Sequence, residues 1–284
     1  MSHLFDEIDG LVNLDIGGRG VRKLYKAARK ETPLCLECAE LMRGKKSVVI
    51  TTGFPILPDL VPETDGPPGA IALARAIKEI GGEPFFVTEE MCRKILLDAS
   101  KSVGFDVKVV SLDEAFSMSP SLLISIEKPG VNSQGRYHSM KGADITEVVE
   151  KVDPLFEDAN EKGIPTIGIG DGGNEIGMGK IKETVMREIP LGEKICAVTE
   201  TKSLMVSAVS NWGAYGIIAA LSLLEKCQLL HDGNDEEKML RACVDSGAVD
   251  GITKRRELSV DRIPLEFHKH LVEMLREIVF MVIS

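Results

Sequence analysis

The chain is predicted to be α/β: a three-layer, mostly parallel, Rossmann-like sheet of about six strands flanked by helices. Three observations predict this. Short β-branched runs alternate with helical patterns in a β-α-β-α-β order at short spacing, which argues a parallel sheet. Several of the runs pass directly into polar loops containing glycine, as strands do at the ligand-binding edge of an open α/β sheet. With 284 residues, 44% of them hydrophobic, the chain can bury a sizeable core. It shows no internal repeat, low-complexity tract or linker, so residues 1–284 are read as one α/β domain with helical N-terminal and C-terminal segments.

Taken in order, residues 1–45 read as helical, interrupted at 14–20 (LDIGGRG), where Arg19 lies between two glycines and is either a clamp for a carboxylate or a solvent-facing cation. Residues 47–52 (SVVITT) form the first clear strand. After them, residues 53–69 (GFPILPDLVPETDGPPG) contain five prolines, which forbid regular structure and stiffen the segment. This loop carries Gly53, Glu63, Thr64 and Asp65 and leaves the carboxyl end of a strand, where ligands bind. Thr64 or Asp65 capping the next helix, 67–80, is the competing reading.

Strands are expected at 84–88 and 106–111 with a helix at 89–103 between them, and a fourth strand at 121–126. The polar loop that follows holds Arg136, Tyr137, His138 and Lys141, positive charge that complements the acidic loops. A helix at 153–162 leads to a fifth strand at 166–169, and 195–199 reads as a sixth. Residues 207–226 carry an apolar helix entered through Asn211 and Trp212, and amphipathic helices are expected at 234–245 and 264–283. Residues 250–256 (DGITKRR) read as a second polar loop facing the site.

The stretch IPTIGIGDGGNEIGMGK, 164–180, reads as strand, glycine loop, helix. Four glycines within 170–177 let the backbone approach a ligand closely, and the first N–H groups of the expected helix would favour an anion there. Asp171 and Glu175 add two carboxylates, whose repulsion of an anion needs a metal, a cation or a held proton to offset it. The plainer reading is a tight turn with Asn174 as a helix N-cap.

A net charge of −10 and a pI near 5.2, without a long basic run, exclude a nucleic-acid partner. No segment approaches the ~20 apolar residues that span a bilayer, and the amino end, MSHLFDEIDG, has no signal-peptide core. A cytoplasmic location without membrane association is expected. Cys35 and Cys38 form a CxxC pair, but no second pair or suitably spaced His accompanies it, so all six cysteines are read as reduced, mostly core residues.

Residues 51–56 (TTGFPI), 63–70 (ETDGPPGA), the segment from Tyr137 to Lys141 with Asp144 and Ile145, 168–179 (GIGDGGNEIGMG) and 210–215 (SNWGAY) together resemble the D-glutamate cyclase family. In animals, members of that family carry this region as the carboxyl-terminal part of a longer mitochondrial protein. The resemblance implies a carbon–oxygen lyase that removes water from D-glutamate to give 5-oxo-D-proline, with a small acidic amino acid as its partner. Homo-oligomer formation is left open.

In that reaction the α-amine attacks the γ-carboxyl carbon, so the site must deprotonate an ammonium and let a carboxylate oxygen leave as water. The resemblance marks the motif positions; their roles follow from this chemistry. Asp171 and Glu175 are the acid/base candidates, Asp65 the carboxylate for the substrate ammonium, and Lys141 the cation for a carboxylate or the oxyanion. Gly53, Thr64, Tyr137, Gly172, Gly173, Asn174 and Asn211 are the candidate binding residues. No cofactor is assigned; an alternative use of Asp171 and Glu175 is to hold Mg²⁺ or Mn²⁺ as a Lewis acid. The competing functions are a Mg-dependent enzyme acting on a nucleotide or phosphorylated metabolite, and a non-catalytic binding protein for an acidic metabolite. Neither the GxxxxGK[ST] loop nor the dinucleotide fingerprint is present, which counts against the first.

Overall fold

The computed structural model describes residues 2–284. Three helices open it, α1 (Ser2–Val12), α2 (Val21–Ala28) and α3 (Leu34–Met42), as the sequence predicts. The strand β1 (Ser47–Thr52) follows, and the proline-rich loop folds into a small antiparallel pair, β2 (Pro55–Ile56) and β3 (Val61–Pro62). The remaining sheet strands are β4 (Glu83–Val87), β5 (Leu122–Ile126), β6 (Thr166–Gly170) and β7 (Ser203–Val206). All pairings among β1, β4, β5, β6 and β7 are parallel, in the order β4-β1-β5-β6-β7.

Alternate residues of each strand face opposite layers, and both layers are apolar. Val48 and Ile50 of β1 join the larger core, built with α1, α3, α4 (Pro67–Glu79), α10 (Ser210–Glu225) and α12 (Leu265–Ile283). Val49 joins the smaller one, where Leu155, Phe156 and Ala159 of α7 (Asp153–Glu161) cover the other face. α10 is buried from Ser210 to Leu223, which explains why its sequence is apolar on every side rather than along one stripe. The fold is therefore three-layer α/β, with no helix long and apolar enough to cross a membrane among the described residues.

Two expected strands differ. Residues 106–111 add only one parallel bridge, Val109 to Phe86, at the sheet edge. Residues 195–199 lie outside the sheet, and the fifth sheet strand is Ser203–Val206 instead. The β-branched pair Val198 and Thr199 imitates a strand in composition, but the backbone there bonds to loops: Val198 N–H donates to Val131 and Thr199 carbonyl accepts from Gly177.

The five-strand order has a consequence for the site. After β1 the chain crosses over through α4 to β4, on one side; after β5 it passes through α7 to β6, on the other. The carboxyl ends of β1 and β5 are thus adjacent while their continuations diverge, the place where open α/β sheets leave a crevice.

Candidate active site

A cavity of about 220 Å³ opens at that crevice. Its walls combine an apolar rim from Phe54 to Leu57, Met140 and Ile252 with Arg19, Glu63, Glu127, Lys141, Asp171, Lys254 and Asp261. The volume is below the usual range for drug-sized ligands and suits a small metabolite.

Each acidic residue arrives from a different element. Glu127 is the first residue after β5 and adopts φ 42°, a left-handed conformation uncommon for a side chain of this kind. Its carboxylate accepts from Ser210 Oγ at 2.6 Å. Asp171 follows β6 directly. Asp261 sits in the hairpin between β8 (Ser259–Val260) and β9 (Ile263–Pro264), whose two turn residues, Asp261 and Arg262, both have positive φ, as a type I′ turn demands. Arg19, on the loop between α1 and α2, donates through Nη2 to Asp171 and to the Ala208 carbonyl at 2.8 Å, and forms an ion pair with Asp261 at 2.8 Å. That loop is itself shaped by Asp15, which accepts from the N–H groups of Arg19 and Gly20.

Asp65 stands behind the cavity wall at the start of α10. Its two oxygens accept from the N–H groups of Gly66, Ser210 and Asn211, at 3.0, 2.8 and 2.8 Å. A carboxylate there complements the positive end of the helix dipole. Oxygen atoms of Asp65, Glu127 and Asp171 come within 4.8 Å of one another, so these three are the residues that could hold a hard cation.

Charge dominates this cluster. Glu63, Asp65, Glu127, Asp171 and Asp261 converge with Arg19 as their guanidinium partner, an arrangement that cannot ionise fully in a low dielectric. Burial pushes Asp65 and Asp171 up to about 7; for Asp171, Arg19 opposes the rise while Glu175 and Asp65 add to it. Asp261 is pushed up to about 8, again by burial first, with Arg19 opposing and Asp171 adding. Glu127 and Glu63 are also raised, by burial first and then by the neighbouring carboxylates. The same neighbours hold Arg19 charged despite its burial. Carboxyl groups titrating near neutrality can accept and return a proton at physiological pH.

Of the residues singled out in the sequence, Asp171 and Lys141 line this cavity; Lys141 is exposed at its mouth. Several others are engaged elsewhere. No helix starts at Asn174: the chain runs irregularly from Asp171 to Met178 and enters the next α-helix only at α8 (Lys182–Glu188). Glu175 folds back onto its own loop, accepting from Gly172 N–H at 2.8 Å and Gly173 N–H at 2.7 Å. The glycine N–H groups expected to grip a carboxylate therefore already hold one, and the group of three carboxylates whose oxygens lie within 4.8 Å of one another is Asp65, Glu127 and Asp171, without Glu175. This loop is an internally satisfied anion nest.

Tyr137 packs with Phe54, Ile145 and Val149, and its hydroxyl donates to Asp153 at 2.7 Å. Asn211 staples the start of α4, its side-chain oxygen accepting from Gly66 and Gly69. Thr64 donates to the Ser259 carbonyl, and Asn174 to the His138 carbonyl. Gly53, at φ 118°, gives room to Glu89 and Cys92, which a Cβ would meet at 2.6 and 2.7 Å. These residues shape the loops around the cavity without lining it.

Glu127 and Asp261 were not among the sequence candidates. Glu127 carries a usable signal, a charged residue immediately after a strand; the two-residue hairpin around Asp261 is too short to give one. All six cysteines are free, and burial raises the thiols of Cys35 and Cys38 on α3.

The fold and the cavity define a class: an α/β protein with an acidic site at the carboxyl edge of a parallel sheet. Residues 8–276 match the family described as "D-glutamate cyclase-like, C-terminal", and the chain belongs to that family. Over 96% of its length it is 30% identical to the protein named "D-glutamate cyclase, mitochondrial" from Homo sapiens. The chain spans about half of that relative, 51% of its length.

Proposed function

We propose that this protein is a D-glutamate cyclase-like lyase, a carbon–oxygen lyase forming 5-oxo-D-proline and water from D-glutamate. Family membership supports the reaction class. The observation that carries the reading is the grouping of carboxyls that titrate near 7 with Arg19 and Lys141 around one small cavity. Ring closure forms one N–C bond and breaks one C–O bond. The two protons that leave the ammonium are the two that the departing carboxylate oxygen needs to become water, so the site has to relay protons and consumes none.

Asp171 is the proposed relay, since its carboxyl exchanges a proton near neutrality and faces the cavity. Lys141 is the proposed cation for a substrate carboxylate or for the oxyanion of the tetrahedral intermediate. Arg19 keeps Asp171 and Asp261 in place. Both reacting groups belong to one molecule, so a cavity that holds glutamate folded supplies much of the acceleration. Asp65, Glu127 and Asp171 offer only oxygen donors and fit Mg²⁺ or Mn²⁺; such an ion would supply Lewis-acid polarisation of the γ-carboxyl.

The test is incubation of the purified protein with D-glutamate or L-glutamate, with EDTA or added Mn²⁺, following 5-oxoproline by chiral chromatography. The expected result is enantioselective product that Asp171→Asn abolishes. Absence of product under all conditions overturns the reading.

A further inference from the structure

Glu63 differs from every other carboxylate at the cavity. Glu127 has Ser210 as its donor, and Asp171 and Asp261 have Arg19. Among the described residues, neither a hydrogen bond nor an ion pair reaches the Glu63 side chain, although the residue is only 6% exposed and lines the cavity. Its backbone is fixed. Glu63 N–H donates to the Phe54 carbonyl at 3.3 Å, and Thr64 N–H to the Val249 carbonyl at 2.9 Å.

The Glu63 carboxylate occupies space that Gly251 leaves open. A Cβ built on Gly251 would fall 1.9 Å from Glu63 Oε2. Gly251 has no positive φ to account for its being glycine, so the space it leaves serves Glu63. A carboxyl group that lines a cavity and receives no donor from the protein is open to one from a ligand. Each of the other carboxylates at this cavity has a hydrogen-bond donor or an ion-pair partner on the protein, and Glu63 has neither.

We propose that Glu63 receives the ammonium group of the substrate, and that Gly251 leaves the room its carboxylate needs to do so. The inference rests on the reading of the cavity as a glutamate site and deepens it. It replaces Asp65 in that role, since both Asp65 oxygens already serve the start of α10. An ammonium has three N–H donors, so one can serve Glu63 while the others meet neighbouring oxygens. Glu63 thereby becomes a specificity residue: it distinguishes an amino dicarboxylate from the same dicarboxylate without its amine.

The experiment is calorimetric titration of D-glutamate and of glutarate into wild type, Glu63→Gln and Gly251→Ala, with melting curves as a check of folding. Losing a charged hydrogen bond predicts D-glutamate binding weakened about 10- to 100-fold in Glu63→Gln, with glutarate binding kept within about twofold. Gly251→Ala, which displaces the carboxylate without removing it, should show the same preference for loss of D-glutamate. Equal weakening of both ligands, or unchanged D-glutamate binding, overturns the assignment while leaving the glutamate site standing. Wild type that binds neither ligand overturns the glutamate reading and the assignment together.

Discussion

Raising the pH should weaken the fold, and Asp261→Asn should remove the part of that weakness that comes from the Asp171–Asp261 pair. Asp171 and Asp261 reach about 7 and about 8 through burial, opposed by Arg19. In an unfolded chain both lose their protons near pH 4. Between pH 5 and 7 the folded protein consequently holds protons that the unfolded chain has released. A folded pKa above the unfolded one stabilises fully below the unfolded value, and that stability is lost as pH rises through the folded value. Because the two carboxyls share Arg19, one retained proton is counted for the pair, giving a slope of about 1.4 kcal/mol per pH unit. From pH 5 to 7 this pair contributes a loss of about 3 kcal/mol, roughly 5–10 °C in Tm for a chain of this size, and the raised carboxyls of Asp65, Glu63 and Glu127 add to it in the same direction. His268 works in the opposite direction. It is buried and kept neutral, so its contribution is lost as pH falls. The informative quantity is therefore the difference between wild type and Asp261→Asn, a variant that leaves Arg19 and Asp171 as a one-to-one pair needing no proton. Thermal or urea unfolding in EDTA at pH 5, 6 and 7 measures it. Equal slopes for the two proteins would refute the shared-proton account.

Three further outcomes follow from the geometry. Lys128→Met removes the fully buried ammonium that pairs with the buried Glu89 carboxylate and should cost about 3–5 kcal/mol in urea unfolding, with most of it recovered in Glu89→Gln/Lys128→Met; a single-variant cost below about 1 kcal/mol would contradict a structural pair. Glu175→Gln places an amide against two N–H donors and should lose about 1.5–3 kcal/mol of stability together with activity; full stability with lost activity would return Glu175 to the acid/base role. Lys141→Met, at the exposed mouth, should leave stability within about 0.5 kcal/mol and raise KM about 3- to 10-fold, so an unchanged KM in steady-state assays would remove Lys141 from substrate binding.

Local chemistry made most of the scaffold legible. SVVITT is β-branched and apolar on both faces, and the strand found there has the expected bounds. The helices after Pro67 and Asp153 begin where proline and the loss of strand character place them. The turn of glycines after β6 was readable too, because it follows from a strand end and backbone freedom, but the helix expected to leave it at Asn174 is absent and the next α-helix starts at Lys182. Residues 195–199 misled because composition cannot report whether a β-branched run finds a neighbouring strand; that depends on where the rest of the chain leaves a free edge.

What only the tertiary structure decided is which polar atoms find partners within the chain. Glu175 and Asp171 look alike in GDGGNEIG, yet one closes on the N–H groups of its own loop and the other meets Arg19, 152 positions away. Asp65 and Glu63 lie two residues apart, yet one caps α10 and the other faces the cavity without a donor. Asp261 enters from the far end of the chain on a two-residue turn. Sequence determines which residues carry charge and which stretches can be strands or helices, since these are properties of neighbours along the chain. The pairing of buried charges is a property of neighbours in space, and at this site it separates the residues that shape the loops from those that meet a ligand.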